Sequence, residues 1–129
     1  MQKHVGAIGM VRIGVSEGIL VATIDNPPVN ALSANVRRGL LDAVRKAVAD
    51  PHVCAVVITA AGKTFIAGAD ITEFGKAPQS PSLPELTTAL EGSPKPVVAA
   101  INGAALGGGL EIALACHARQ RTILYALGF

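Results

Sequence analysis

The sequence predicts an α/β fold, on three observations. Short runs rich in β-branched residues alternate with a long segment of helical period. The run from Val53 to Thr59 is continuously apolar, the pattern of a parallel strand buried on both faces. The resulting order, β-β-α-β-(loop, α)-β-α, is that of helices and strands layered around one core. No internal repeat or linker divides the chain, and 129 residues suffice for one domain with a real core.

Met10 to Val15 and Ile19 to Ile24 read as two strands around a turn at Ser16-Glu17-Gly18. Asp25-Asn26-Pro27-Pro28 ends the second, since proline donates nothing to a ladder. Ser33 is the N-cap of a helix over Ala34 to Ala49. Val36, Leu40, Ala43, Val44, Ala47 and Val48 fall on its apolar face; Arg37, Arg38, Asp42, Arg45 and Lys46 fill the other. Asp50-Pro51 closes it. After the strand at Val53 to Thr59, residues 61–70 make a loop with a glycine at its bend, and Ile71 to Phe74 starts a short helix. Gly75 to Pro84 carries three prolines and little pattern, as a mobile surface loop does. Leu83 to Leu90 is a short helix, Pro96 to Ile101 a second buried strand, and Leu110 to His117 the last helix.

Composition narrows the function. Aromatic residues are only 3% of the chain, so Ala, Val, Leu and Ile must build the core. The net charge of +2 is mild, and no basic run with interleaved aromatics is present, which argues against a nucleic-acid partner. Cys54 and Cys116 lie in apolar runs without CxxC spacing and read as buried thiols of a reducing compartment. Gly6, Gly9 and Arg12 interrupt any secretory signal. Pro96 to Cys116 is apolar enough to suggest a membrane span, but Asn102, Glu111 and its glycines argue against one. His4, His52 and His117 are scattered without metal-ligand spacing, so no metal site is expected. Gly62-Lys63-Thr64 is not a phosphate loop, because Val57 stands where that loop needs its first glycine. No dinucleotide fingerprint starts at Gly107, because Ile112 occupies its last glycine position.

The most informative feature is Gly107-Gly108-Gly109-Leu110-Glu111, lying between a strand and a helix. Helix-starting N–H groups lack intrahelical partners and favour negative charge. Missing side chains let a ligand approach the backbone. Glu111, one turn in, is flanked by Leu110, Ile112, Ala113, Leu114 and Ala115, so its helix looks buried. The carboxylate is then either a structural group favoured by the helix dipole or paired with a base, or an acid or base for a bound ligand. Gly68-Ala69-Asp70 poses a similar choice. It is either a turn with Asp70 as helix cap, or a second backbone donor facing the first. Two such turns, each following a buried parallel strand, are where α/β sheets gather a ligand site.

At these residues the chain resembles the crotonase superfamily of enoyl-CoA hydratases and isomerases. Four segments carry the resemblance: Asn26 to Leu32, Phe65 to Ile71, Lys95 to Gly103 and Ala105 to Glu111, within a span from about Val11 to His117. Ala69 to Phe74 and Ala115-Cys116-His117 look most like the hydratase part of multifunctional β-oxidation enzymes. The resemblance implies a crotonase-like (ββα)-superhelix core and chemistry on an acyl-CoA thioester through an enolate. Ala69 and Gly108 match the oxyanion-hole donors, and Glu111 the first catalytic glutamate. Ala31, Leu32, Ala67, Asp70, Ile71 and Gly107 match positions that line the coenzyme A or substrate site, the adenine meeting Ala67 to Ile71. Coenzyme A enters as part of the substrate, so no separate cofactor is implied. A homo-trimer is implied too, in the cytoplasm if the protein is bacterial and in a peroxisome or mitochondrion if it is eukaryotic.

The sequence also departs from the family. A second catalytic glutamate is implied in a later loop, yet no glutamate follows Glu111. The C-terminal helices that cover the acyl pocket and build the trimer find no match, so the fold is expected to be incomplete at the C-terminus. Residues 1–117 read as the N-terminal portion of the domain. Residues 118–129 read as a divergent tail where a strand with a Tyr-Arg-type segment belongs; a frameshift or splice product and a natural end both fit. The chain as written is therefore expected to hydrate 2-trans-enoyl-CoA weakly or not at all. An acyl-CoA-binding module without hydratase chemistry and a non-functional fragment are the alternatives.

Overall fold

The structure is a computed structural model and describes residues 3–121. Eight strands and three helices follow in the order β1 (Lys3–Ile8), β2 (Val11–Ser16), β3 (Ile19–Ile24), α1 (Ala34–Ala49), β4 (Ala55–Ala60), β5 (Thr64–Ile66), α2 (Leu83–Glu91), β6 (Val97–Ile101), β7 (Ala104–Ala105), α3 (Gly108–Ala115) and β8 (Ala118–Arg121), with a 3-10 turn at Ile71–Glu73 between β5 and α2. The main sheet has the order β1-β2-β3-β4-β6-β8, and β5 and β7 form a separate pair. β1, β2 and β3 run antiparallel, while β3, β4, β6 and β8 run parallel. The α/β class is therefore as expected.

α1 has the expected limits, for the expected reason. The Ser33 hydroxyl accepts the Val36 N–H at 3.2 Å, satisfying one of the orphan donors of the first turn. Val36, Leu40, Ala43, Val44 and Ala47 are buried in the same core as Leu20, Ala22 and Ile24 of β3 and Val56 and Ile58 of β4. Val48, placed on the apolar face by its spacing, is 37% exposed. At the other end the Lys95 ammonium donates to the Ala47 and Asp50 carbonyls, both at 2.7 Å, where the helix dipole favours a cation.

Several expectations need correction. β4 is buried on one face only: Val56, Ile58 and Ala60 are inside, while Ala55, Val57 and Thr59 are half-buried. Apolar residues on both faces show what a strand can bury, and packing decides which face is covered. Cys54 precedes β4 and is exposed; only Cys116 is buried. Burial pushes the Cys116 thiol up to about 11, offset in part by Arg119, and its Sγ–H reaches the Ile112 carbonyl at 3.3 Å. A thiol-alkylating reagent at pH 8 should therefore add once, at Cys54, on the folded chain. Peptide mass spectrometry checks this, and an equal yield at Cys116 would contradict the burial.

β1 and β8 add strands that the sequence pattern hid. β1 contains a bulge between His4 and Gly6 that breaks its alternation. β8 lies parallel to β6, pairing Val98 with Ala118 and Ile101 with Arg121. A strand is thus present just after His117. Residues 122–129, the rest of the expected tail, lie outside the described residues. The apolar stretch from Pro96 to Cys116 divides into β6, β7 and the eight-residue α3. No helix among the described residues is long and apolar enough to cross a membrane.

Candidate functional site

Three chain segments meet at the two glycine turns. The first is Ala31-Leu32, just before α1. Leu32 forms an isolated parallel bridge with Ala69, and its N–H donates to the Gly68 carbonyl at 2.8 Å. The second is Ala67-Gly68-Ala69, fixed from behind by the Ala67 N–H to the Val29 carbonyl at 3.2 Å. The third is Leu106-Gly107-Gly108-Gly109, where the Leu106 N–H donates to the Ile66 carbonyl at 3.0 Å.

Glycine is required at both turns for conformational reasons. Gly68 has φ of 124° and Gly107 has φ of 53°, which side chains disfavour. The turns are also in contact: a methyl built on Gly107 would lie 3.8 Å from the Gly68 Cα. Gly109 sits closer still, since its added methyl would lie 2.6 Å from the Ile66 carbonyl oxygen. Gly103 has no room for a methyl against the Lys63 carbonyl, and Asn102 ties that bend by donating from Nδ2 to the Gly62 carbonyl at 2.9 Å.

Among the main-chain donors that this packing leaves without an acceptor among the described residues are those of Ala69 and Gly108. Gly107 is the N-cap of α3, so the Gly108 N–H is an unpaired first-turn donor. The Gly68 carbonyl is held by Leu32, and in a trans peptide the following N–H points the opposite way. That N–H belongs to Ala69. Neither the Ala69 nor the Gly108 N–H has an acceptor among the described residues. Ala69 is exposed and Gly108 is half-buried. A cavity of about 380 Å³ adjoins Ala69, bounded by Phe74, Lys76, Gln79 and Leu83 among others. Leu83 also neighbours Gly108, its Cδ2 lying 3.4 Å from a methyl built there. Two N–H groups without acceptors, one of them on the cavity wall, are donors open to a hydrogen-bond acceptor.

Glu111 lies one turn into α3, and its own N–H donates to the Gly107 carbonyl at 3.1 Å. It is exposed, not buried as its apolar neighbours implied. α3 buries Ile112, Ala113 and Ala115, but Leu106, Leu110 and Leu114 are 57%, 49% and 55% exposed. Periodicity could not show this, because the helix is apolar on the covered and the uncovered side alike. The Glu111 carboxylate has no hydrogen-bond or ion-pair partner among the described residues.

Asp70 does act as a cap. Its carboxylate accepts the Thr72 hydroxyl at 2.7 Å and the Thr72 N–H at 2.9 Å, and both bonds hold its pKa below the usual carboxylate value. Ile71 is 74% exposed beside it. Of the other expected lining residues, Leu32 is buried, and Ala31 and Ala67 are half-buried. His117 accepts the Val97 N–H at Nδ1 and faces the Glu91 carbonyl through Nε2 at 3.1 Å, a structural tie. Among the described residues no cluster of His, Cys, Asp and Glu could hold a metal.

Sequence reasoning missed Arg37 and Glu73. Arg37 was expected on the solvated face of α1, yet its side chain is only 13% exposed. Its guanidinium donates to the carbonyls of Pro81 (2.6 Å), Leu32 (2.9 Å) and Gln79 (3.3 Å), and pairs with Glu73 at 3.3 Å. The second Glu73 oxygen accepts the Ala34 N–H at 2.8 Å, at the start of α1. The loop over residues 75–80 is exposed, as expected, but this arginine ties it down. The available signal was a cation in the first turn of a helix, where the dipole opposes it unless a carboxylate lies nearby.

The sequence signature described as enoyl-CoA hydratase/isomerase matches residues 14–120. The match continues through the first three residues of β8. The peroxisomal bifunctional enzyme of Danio rerio is 49% identical over 105 residues, covering 81% of this chain and 15% of that protein. A probable enoyl-CoA hydratase of Bacillus subtilis (strain 168) is 42% identical over 116 residues, covering 84% of this chain and 45% of that one. The chain thus spans less than half the length of either relative. Among solved structures, an enoyl-CoA hydratase from Mycobacterium avium subsp. paratuberculosis K-10 superposes with a TM-score of 0.76 at 33% identity, covering 89% of this chain and 48% of that one.

Proposed function

The chain belongs to the enoyl-CoA hydratase/isomerase family and has its crotonase fold in incomplete form, and from that membership we propose that it binds a 2-trans-enoyl-CoA thioester at the Ala69 and Gly108 donors. The observation that carries the proposal is the pair of unpaired N–H groups on touching turns. The thioester oxygen accepts both N–H groups. The Glu111 carboxylate takes a proton from water as the water oxygen bonds to C3. The double-bond electrons pass to the thioester oxygen, whose enolate charge the two donors stabilise. Glu111 then returns the proton to C2, so that water has added across the double bond to give 3-hydroxyacyl-CoA.

The coenzyme A portion lies along Ala31-Leu32 and Ala67 to Ile71, with exposed Ile71 offering apolar surface to the adenine. The setting is fatty-acid β-oxidation, in the peroxisome if the source is eukaryotic, as in the Danio rerio relative, and in the cytoplasm if it is bacterial. Turnover by these 129 residues is slow. Glu111 is exposed and has no partner among the described residues, so its pocket excludes little water and one carboxylate serves as both base and acid.

Crotonyl-CoA tests this directly. Slow loss of the enoyl absorbance is expected, with Glu111→Gln removing it while calorimetric binding of the thioester persists. Hydration unaffected by Glu111→Gln would overturn the assignment of Glu111. Turnover at the rate usual for enzymes, about 10 per second, would overturn the expectation of slow catalysis. Glu111, without a partner among the described residues, also favours a second reading, a thioester-binding module. Binding that survives Glu111→Ala, with no hydration in the parent chain, would support that one.

A further inference from the structure

We propose that Arg37 and Glu73 are positioning residues that aim the Ala69 N–H at the thioester oxygen. The inference rests on the reading of Ala69 as a donor, and adds how that donor is held. Ala69 has no side chain able to fix its own peptide. Its direction is set by the Gly68 carbonyl, which the Leu32 N–H holds at 2.8 Å. Leu32 must therefore be fixed in turn. Its carbonyl accepts from the Arg37 guanidinium at 2.9 Å. The same guanidinium holds Glu73, at the end of the turn that begins directly after Asp70. Glu73 is bonded to the Ala34 N–H, two residues after Leu32.

The result is a closed circuit. It runs from Leu32 to Gly68-Ala69, along the 3-10 turn to Glu73, and back through Arg37 and Ala34 to Leu32. Both segments of the Leu32–Ala69 bridge are clamped by the circuit. The arginine fork suits this task, because several planar donors leave one rigid group toward acceptors on separate segments. The bond to the Pro81 carbonyl at 2.6 Å closes the 74–81 loop over the same hub. The Gly108 donor, by contrast, takes its direction from the start of α3 and from the Leu106 N–H bond to the Ile66 carbonyl, and it meets the circuit through the Leu32 side chain, whose Cδ2 would lie 2.9 Å from a methyl built there. The two proposed oxyanion donors thus have separate hydrogen-bonded supports, although their turns touch, and that separation is what the experiment reads.

The test uses the whole 129-residue chain, ¹⁵N-labelled, with crotonyl-CoA as the probe. Arg37→Lys keeps the charge and loses the fork; Glu73→Gln keeps the shape and loses the ion pair. Arg38→Gln removes a neighbouring exposed charge and serves as control. In the free protein, exchange of the Leu32 amide should quicken about tenfold or more in the first two variants, the scale of one charge-assisted hydrogen bond. At saturating crotonyl-CoA, the shift of the Ala69 amide should shrink while that of Gly108 persists. Arg38→Gln should match the parent in both readouts.

A general loss of stability would move both amides together, so parallel loss at Ala69 and Gly108 overturns the proposal. So does an Ala69 response equal to the parent's in both variants. Protection of Ala22 and Ile58 in the central strands confirms folding; if Glu73→Gln fails that check, Arg37→Lys alone decides. If neither Ala69 nor Gly108 moves in the parent, the donor reading itself fails and the positioning role falls with it. The Leu32 exchange then still reports whether the circuit is present, so the two failures are distinct.

Discussion

Ala69→Pro is expected to lower crotonyl-CoA hydration by about 100- to 1,000-fold, as removal of one oxyanion donor does elsewhere. Proline has no N–H, so the substitution deletes the donor, while its ring also fixes φ at position 69 and restricts Gly68. The Gly68 carbonyl remains to accept from Leu32, and the Ala69 side chain is exposed, so no core contact is lost. Ala69→Ser is the matched control: it changes the side chain and keeps the N–H. Initial rates at saturating substrate for the parent and the two variants decide the matter. A serine variant near the parent and a proline variant far below it would assign the effect to the main chain. A proline variant within a factor of about three of the parent, under 1 kcal/mol, would remove Ala69 from the mechanism.

Gly109→Ala is expected to lower stability and thioester binding together. The added methyl would sit 2.6 Å from the Ile66 carbonyl oxygen and 2.7 Å from the Ile66 Cβ. These are atoms of β5, not the far end of a flexible side chain, so α3 itself must move. Overpacking of this kind costs roughly 1–3 kcal/mol. The movement also strains the Leu106 N–H bond to the Ile66 carbonyl that anchors the Gly107 turn. Loss of stability and loss of thioester binding should therefore appear together. Gly62→Ala makes the contrast: its methyl meets open space, but its φ of 80° costs roughly 1–2 kcal/mol of backbone strain. It should lower the melting temperature and leave crotonyl-CoA affinity unchanged. Thermal denaturation and calorimetry on both variants check the pair, and a Gly109→Ala chain that binds normally would show that α3 can shift without disturbing the turn.

What could be read beforehand follows from the range of each interaction. α1 was legible to its ends because a serine cap and a 3.6-residue period are local signals. Gly68 and Gly107 were legible as special because few other residues accept their φ values. β5 and β7 were not, since three and two residues carry no period, and each is defined by the other across the pairing of Thr64 with Ala104. Arg37 and Glu73 stand 36 residues apart, so nothing local told this arginine from its neighbour Arg38. The exposure of Glu111 was illegible for a related reason. An apolar helix declares that it can be buried, and only the packed neighbours of α3 determine that Leu110 and Leu114 are not.

The two proposed donors are main-chain groups on residues with the smallest side chains. A conventional alanine scan would therefore pass over the centre of this site. Ala69 already is alanine, and at Gly108 the scan would add a methyl 2.9 Å from the Leu32 Cδ2 while leaving the N–H in place. Mutational maps built on side-chain deletion would highlight Arg37, Glu73 and Glu111 and leave blank the two main-chain groups proposed to meet the thioester. Backbone ester replacement at positions 69 and 108, which exchanges each N–H for an oxygen, is the chemical perturbation matched to such a site.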